Sequence, residues 1–324
     1  MKKRNLGFDF GKIFKKVDKR AALTTQQIVI LIILITSFIV VLFFLFRLNL
    51  QETTDKEICH NSVVLRGNAV VPSETVPLNC KTNYVCITED GSCEKLPYYN
   101  YRIDVDSKEE LYEALAIEMA DCWWMFGEGR VNYVGTGLTK SLHCSICSQI
   151  TFDDSLLKIK GLESGVLNKN DFYMNYLARK KMTNREITYA QYLFGTNDLA
   201  KIIDKISSTD AKKVGSGPDI PSRDKLSFGT LDLGKTSAVM MGISQQVSTW
   251  AWIGIGAAAF LVGAIFAPVG VVVGAIIVAG GAGAGAITAV TVEGLSGNKY
   301  LAPTIITFPD EYDTLKCEHI ETLG

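Results

Sequence analysis

The first 58 residues contain no cysteine, and all eight cysteines of the 324-residue chain lie beyond them. There are only three histidines, and each sits beside or close to a cysteine: His60 by Cys59, His143 by Cys144 and His319 near Cys317. That leaves little material for a Ser-His-Asp arrangement. N-x-[ST] glycosylation sequons are absent, a second CxxC is absent, and no internal repeat or sustained heptad occurs. Nor is there a broad basic patch, which excludes a nucleic-acid partner. The longest absence is of charge. From Ser248 to Val292 the chain runs 45 residues without Asp, Glu, Lys or Arg.

A second uncharged run lies near the N-terminus, where Ile28 to Phe46 reads IVILIILITSFIVVLFFLF and is followed by Arg47. At 1.5 Å per residue this makes roughly 28 Å of helix, close to the hydrocarbon thickness of a bilayer. The first twenty residues carry eight basic side chains against Asp9 and Asp18. Basic excess before an apolar run directs the N-terminus to the cytoplasm and the remainder outside. A signal peptide would have a shorter apolar core and a small-x-small site after it; FFLFRLNLQ offers none, so an uncleaved anchor is expected. Phe10, Ile13, Phe14 and Val17 alternate with lysines and fit either a short interfacial helix or an unstructured basic leader.

The long uncharged run divides at Pro268-Val269-Gly270 into Thr249–Ala267 and Val271–Val292, each long enough to cross a bilayer as a helix. Trp250 and Trp252 stand at its entry, and Gly270-x-x-x-Gly274 and Gly281-x-x-x-Gly285 suit close helix packing in lipid. The expected fold class is a membrane protein with an N-terminal transmembrane helix, a mixed α+β disulfide-stabilised extracytoplasmic domain and a C-terminal Gly/Ala-rich transmembrane helical hairpin. The expected segments are a basic cytoplasmic leader (1–20), an anchor helix (21–50), a small Cys-rich β module (51–97), a mixed α/β domain (98–207), a linker with strands (208–247), the apolar hairpin (248–292) and an extracytoplasmic tail (293–324).

Within the exterior part, Ser107-Lys108-Glu109-Glu110 reads as a capping box. Leu111, Leu115, Met119, Cys122 and Phe126 then give one apolar helical face. SLHCSICSQITF reads as a strand with Leu142, Cys144, Ile146, Ile150 and Phe152 on one face. Two or three helices are expected between about 170 and 207, with Thr183-x-x-Glu186 capping the middle one. Residues 207–224 have linker composition, and two strands around a turn follow.

Cys59, Cys80, Cys86, Cys93, Cys122, Cys144, Cys147 and Cys317 are the candidate site residues, as an even set of exterior cysteines that implies disulfides. Cys86 with Cys93 is the pair a hairpin at Glu89-Asp90-Gly91 would join, and Cys317 would tie the tail back. Cys144-Ser-Ile-Cys147 with nearby histidines also suggests zinc or thiol–disulfide exchange. On a strand, however, residues three apart point to opposite faces. Gly229 to Thr236 fits GxxxxGK[ST], but Leu231, Asp232 and Leu233 fill the loop and no convincing helix follows, so coincidence is expected. No catalytic constellation stands out, and no cofactor or metal is called for.

Arg20-Ala21-Ala22-Leu23-Thr24-Thr25-Gln26-Gln27, running straight into the apolar helix, resembles the processing region of archaeal type IV pilin-like proteins. By that resemblance the chain is cut between Ala21 and Ala22, with Gln26 an early polar residue of the mature helix. The basic head, single anchor and Cys-rich exterior, with YVCITEDGSC and CWWMFGEG, look like uncharacterised archaeal membrane-anchored proteins. The expected function is a non-enzymatic cell-surface protein with a structural or interaction role. Its expected location is the cell membrane, with the lipid bilayer as one partner and a second copy or another surface protein as a further one. The alternatives are a pilin-like filament subunit and a pore-forming or fusion protein that uses the Gly/Ala-rich hairpin.

Overall fold

A computed structural model describes residues 25–47, 50–69, 75–135, 138, 142–201, 204, 227–245, 259–266, 272–278, 286–293, 298–312, 317 and 319–320. The basic leader, Ala21, Ala22, the 207–224 linker, Trp250, Trp252 and Pro268 lie outside the described residues. The chain forms two compact units, Met1–Leu50 and Gln51–Gly324.

The first unit holds α1 (Thr25–Arg47). Among the described residues no helix is long and apolar enough to cross a membrane. That finding overturns the transmembrane part of the expected fold class.

The second unit is built on a mixed nine-stranded sheet. Its elements in chain order are α2 (Leu50–Gly67), β1 (Asn83–Thr88), β2 (Tyr101–Asp104), α3 (Lys108–Met125), β3 (His143–Phe152), β4 (Val166–Asn168), α4 (Tyr189–Phe194), β5 (Thr230–Asp232), β6 (Ser237–Ser244), β7 (Ala259–Phe266), β8 (Val272–Val278), β9 (Ala286–Glu293), β10 (Lys299–Thr307) and β11 (His319–Ile320). The sheet order is β2-β1-β3-β6-β10-β9-β8-β7, with β11 beside β3, and β4-β5 form a separate pair. β2, β1 and β3 run parallel, and every pairing from β3 through β6 to β7 is antiparallel.

The described parts of the supposed helical hairpin of 248–292 are antiparallel strands, β7, β8 and β9. The physical reason lies in how Gly and Pro punctuate the run. The strands they separate are seven or eight residues long, and β8 is mostly Val and Ile; that length favours strands over helices. The expected tail (293–324) supplies β10, a central strand of the sheet. Residues 51–97 begin with α2, and their strand β1 lies between β2 and β3 of the following segment. β1 continues into β2 in parallel, so Glu89-Asp90-Gly91 closes no hairpin.

One sheet face packs against α3, α4 and a π-helical turn (Asp171–Leu177) to form the main core. α3 and its C-cap Phe126 carry the five expected apolar residues, each at most 1% exposed. Its cap differs in detail. The Ser107 side chain accepts from the Glu110 amide, while the Glu110 carboxylate reaches back to the amide of Asp106. Thr188, not Thr183, heads α4, in a reciprocal capping box with Gln191.

The opposite face carries a smaller cluster: Leu142, Cys144, Ile146, Ala238, Met240, Leu301 and Ile306, packed against Phe308, Tyr312 and Cys317. Strand β3 contributes to both clusters. Its pairing with β6 slips by one residue between Ile146 and Ser148, a β-bulge at Cys147 that inverts the alternation. Leu142, Cys144 and Ile146 thus face the small cluster, whereas Ile150 and Phe152 enter the main core. Strict alternation cannot place all five on one face once the bulge intervenes.

Candidate functional site: the disulfide framework and the buried charges

All eight cysteines are bonded in four pairs. Cys59 on α2 joins Cys80 ahead of β1, with Cα atoms 4.3 Å apart. Cys86 on β1 joins Cys93 in the following loop at a Cα separation of 6.2 Å. Cys122 on α3 joins Cys147 at the bulge of β3 at 5.5 Å. Cys144 on β3 joins Cys317 in the C-terminal segment at 5.7 Å, across 173 residues. All four Cα separations fall within or beside the usual disulfide range.

The CxxC is thereby split. Cys147 faces α3 and the main core, Cys144 faces the small cluster, and each has a different partner. A CxxC exchange centre needs its two sulfurs to bond each other, and a zinc site needs thiolates; both uses of these cysteines are taken. Among the described residues no cluster of three or more His, Cys, Asp or Glu could hold a metal ion. His60 stacks on Trp124 with ring centroids 4.2 Å apart, its Nδ1 2.7 Å from the Trp124 carbonyl. His143 is buried in β3, opposite Ile243 of β6. Trp123 is buried in the main core with its ring edge-on to Tyr300.

Gly229 to Thr236 holds β5 and a tight turn that leads into β6. Asp232 Oδ1 accepts from the Gly234 amide, and Lys235 Nζ is 2.8 Å from Asp310. A strand follows where a phosphate loop would start a helix, so no helix terminus faces the turn.

Two buried ionic groups were not visible in the sequence. In the first, Lys56 Nζ of α2 lies 2.8 Å from Asp121 Oδ2 and 3.8 Å from Glu118 Oε1, both on α3. Tyr101 of β2 donates to Glu118 Oε1 at 2.6 Å, and its ring lies under the ammonium at 4.9 Å. Burial pushes the Glu118 carboxyl up, and the Lys56 charge and the Tyr101 hydroxyl oppose that shift. This cluster fixes α2 to α3 and β2 beside the Cys59–Cys80 bridge. Its only sequence signal is a glutamate set between Leu115 and Met119 on an apolar helix.

The second group centres on Lys169, just after β4. It is 3% exposed and donates to the Ile305 carbonyl at 3.2 Å, with Glu311 Oε2 at 3.4 Å. Burial lowers its ammonium, and Glu311 opposes the shift. Glu311 also accepts from the Thr307 amide, and Tyr173 exchanges a hydrogen bond with Thr304. Burial pushes the Tyr173 phenol up to about 12. Lys169 thus anchors the turn after β10, from which the chain runs on to Cys317.

A third, solvated group spans the ends of β1 and β3. Asp90 accepts from Ser92 and Lys158, which holds its carboxyl well below the usual range, and Asp153 accepts from Ser92 and Ser155. Each acid there has donors supplied by its neighbours, as in a self-satisfied loop network.

Comparison with family models, with curated proteins and with solved structures finds no match. The fold and its bridges still define a class: a mixed α/β domain crosslinked by four disulfides.

Proposed function

We propose that the protein is a lipid-tethered, extracytoplasmic protein with a structural or interaction role. The observation that carries this reading is complete thiol pairing: every cysteine of the chain is in a disulfide, within the second unit. Disulfides persist in oxidising compartments and are rare where glutathione and thioredoxin operate.

The tether is α1. Ile28, Leu34, Phe38 and Phe43 are 43%, 63%, 63% and 58% exposed, and successive residues of a helix stand about 100° apart, so apolar surface surrounds the axis. Among its described side chains only Thr36 and Ser37 are polar. Thr36, one of its few polar side chains, turns back onto the Ile32 and Ile33 carbonyls. Lipid is the medium that suits such a surface.

Liposome flotation tests the reading. The full chain should float with the vesicles, and replacing Ile33 and Leu34 with lysine should leave it at the bottom of the gradient. A wild-type chain that stays at the bottom would overturn the tether.

A further inference from the structure

Lys56 Nζ meets two acids of α3 that stand one helical turn apart, Asp121 Oδ2 at 2.8 Å and Glu118 Oε1 at 3.8 Å. The lysine side chain is 10% exposed and the glutamate 4%. Lys158 also meets two acids, Glu89 and Asp90, but it is exposed. Lys169 is as buried as Lys56, yet its carboxylate, Glu311, is 3.4 Å away. In water an ammonium and a carboxylate resist condensation because hydration stabilises both ions. Burial removes much of that hydration. Fixed contact between the two groups replaces the chance of their meeting, which favours bond formation further.

We propose that Lys56 and Asp121 condense into an isopeptide bond between α2 and α3, with Glu118 carrying the protons. Glu118 first takes a proton from the Lys56 ammonium. Burial, which pushes its carboxyl up, favours that acceptance. Tyr101, donating to Glu118 Oε1 at 2.6 Å, holds the acid in place. The freed amine attacks Asp121 Cγ, and one carboxylate oxygen leaves as water. Glu118 returns one of that water's protons and the attacking nitrogen gives the other. One C–N bond forms, one C–O bond breaks, and nothing is oxidised or reduced. Asp121 is 35% exposed at its side chain, which gives the water a way out. Lys56 precedes all eight cysteines, so a pull arriving along the chain from α1 meets this bond before any disulfide. That consequence rests on the tether proposed above; the bond itself does not.

The test incubates the folded full chain, then reduces, unfolds and digests it with trypsin. The peptides that hold Lys56 and Asp121 should emerge joined, uncut after Lys56 and lighter by one water. Refolded chain passes through the ion pair first, so the joined peptides should grow with time after refolding and should not form in urea. Lys56→Arg and Asp121→Ala should leave the two peptides separate. Glu118→Gln keeps the shape of the side chain and an acceptor for Tyr101, and should slow joining by about 100-fold. Four disulfides and wild-type circular dichroism identify the variants that fold, and the wild-type digest decides the matter without them. Separate Lys56 and Asp121 peptides from the folded wild type would overturn the proposal. So would joining that proceeds equally in urea, or at the wild-type rate in folded Glu118→Gln.

Discussion

Cys144 on β3 is bonded to Cys317 across 173 residues, the longest loop that any of the four bridges closes. Cys86 and Cys93 enclose only seven. In the chain-entropy account a bridge stabilises by restricting the unfolded chain, in proportion to the logarithm of loop length. The long loop is then worth about 5 kcal/mol and the short one about 2.5 kcal/mol. Urea unfolding of Cys144→Ser/Cys317→Ser should show about twice the loss of Cys86→Ser/Cys93→Ser. Equal losses would indicate that native packing, not loop closure, sets the contribution.

Lys56→Met removes the cation beside Glu118 and leaves a buried carboxylate without its partner, a change that costs about 3–5 kcal/mol. The Glu118 carboxyl is already raised above its ordinary value. A raised acid binds its proton more readily when folded, so the loss grows as pH rises through the carboxylate range and shrinks below it. Unfolding at pH 8 should show the larger deficit and unfolding at pH 5 the smaller. Adding Glu118→Gln should recover most of the stability at pH 8; a deficit independent of pH would refute the charge explanation.

Asp171 behaves in the opposite sense. Lys108, Asn175 and Tyr112 donate to it and hold its carboxyl at about 2, below the ordinary 3.8. Its contribution is complete above pH 4 and disappears as pH falls towards 2. The side chain is 37% exposed, so solvent screens the pair and the contribution is about 0.5–1 kcal/mol. Asp171→Asn should cost that much at pH 7 and nothing near pH 2, as read from acid-unfolding curves.

Gly242 on β6 faces Cys144 across the β3 pairing. A Cβ there would meet Leu142 Cδ1 at 2.7 Å and the His143 carbonyl at 3.0 Å. Gly242→Ala should therefore destabilise by about 1–3 kcal/mol. Leu142→Val should restore part of this, because the leucine end can yield and the backbone carbonyl cannot. Thermal denaturation of the two variants against wild type decides it.

Local rules read the second unit well where one element sets its own pattern. The α3 face from Leu111 to Phe126 follows from 3.6-residue periodicity, and Ser107 marks its start. Opposite faces for Cys144 and Cys147 follow from strand alternation, and the bulge at Cys147 keeps them apart. The same bulge hides Ile150 and Phe152 from any sequence reading, because a one-residue slip depends on β6. Residues 248–292 depart from the helical expectation for a related reason: a long uncharged run satisfies the length of a helix, yet Gly and Pro separate its strand-sized blocks. Lys56 and Lys169 could not be found at all, since their carboxylate partners are 65 and 142 residues away.

The central claim is that the cysteine-bearing unit resides in an oxidising, non-cytosolic compartment. The most direct measurement treats intact cells with a membrane-impermeant thiol label, before and after a membrane-impermeant reductant, and counts adducts by mass. The account predicts no adducts before reduction and eight after it. Thiols that label without reduction, or that label only once the cells are opened, would contradict it.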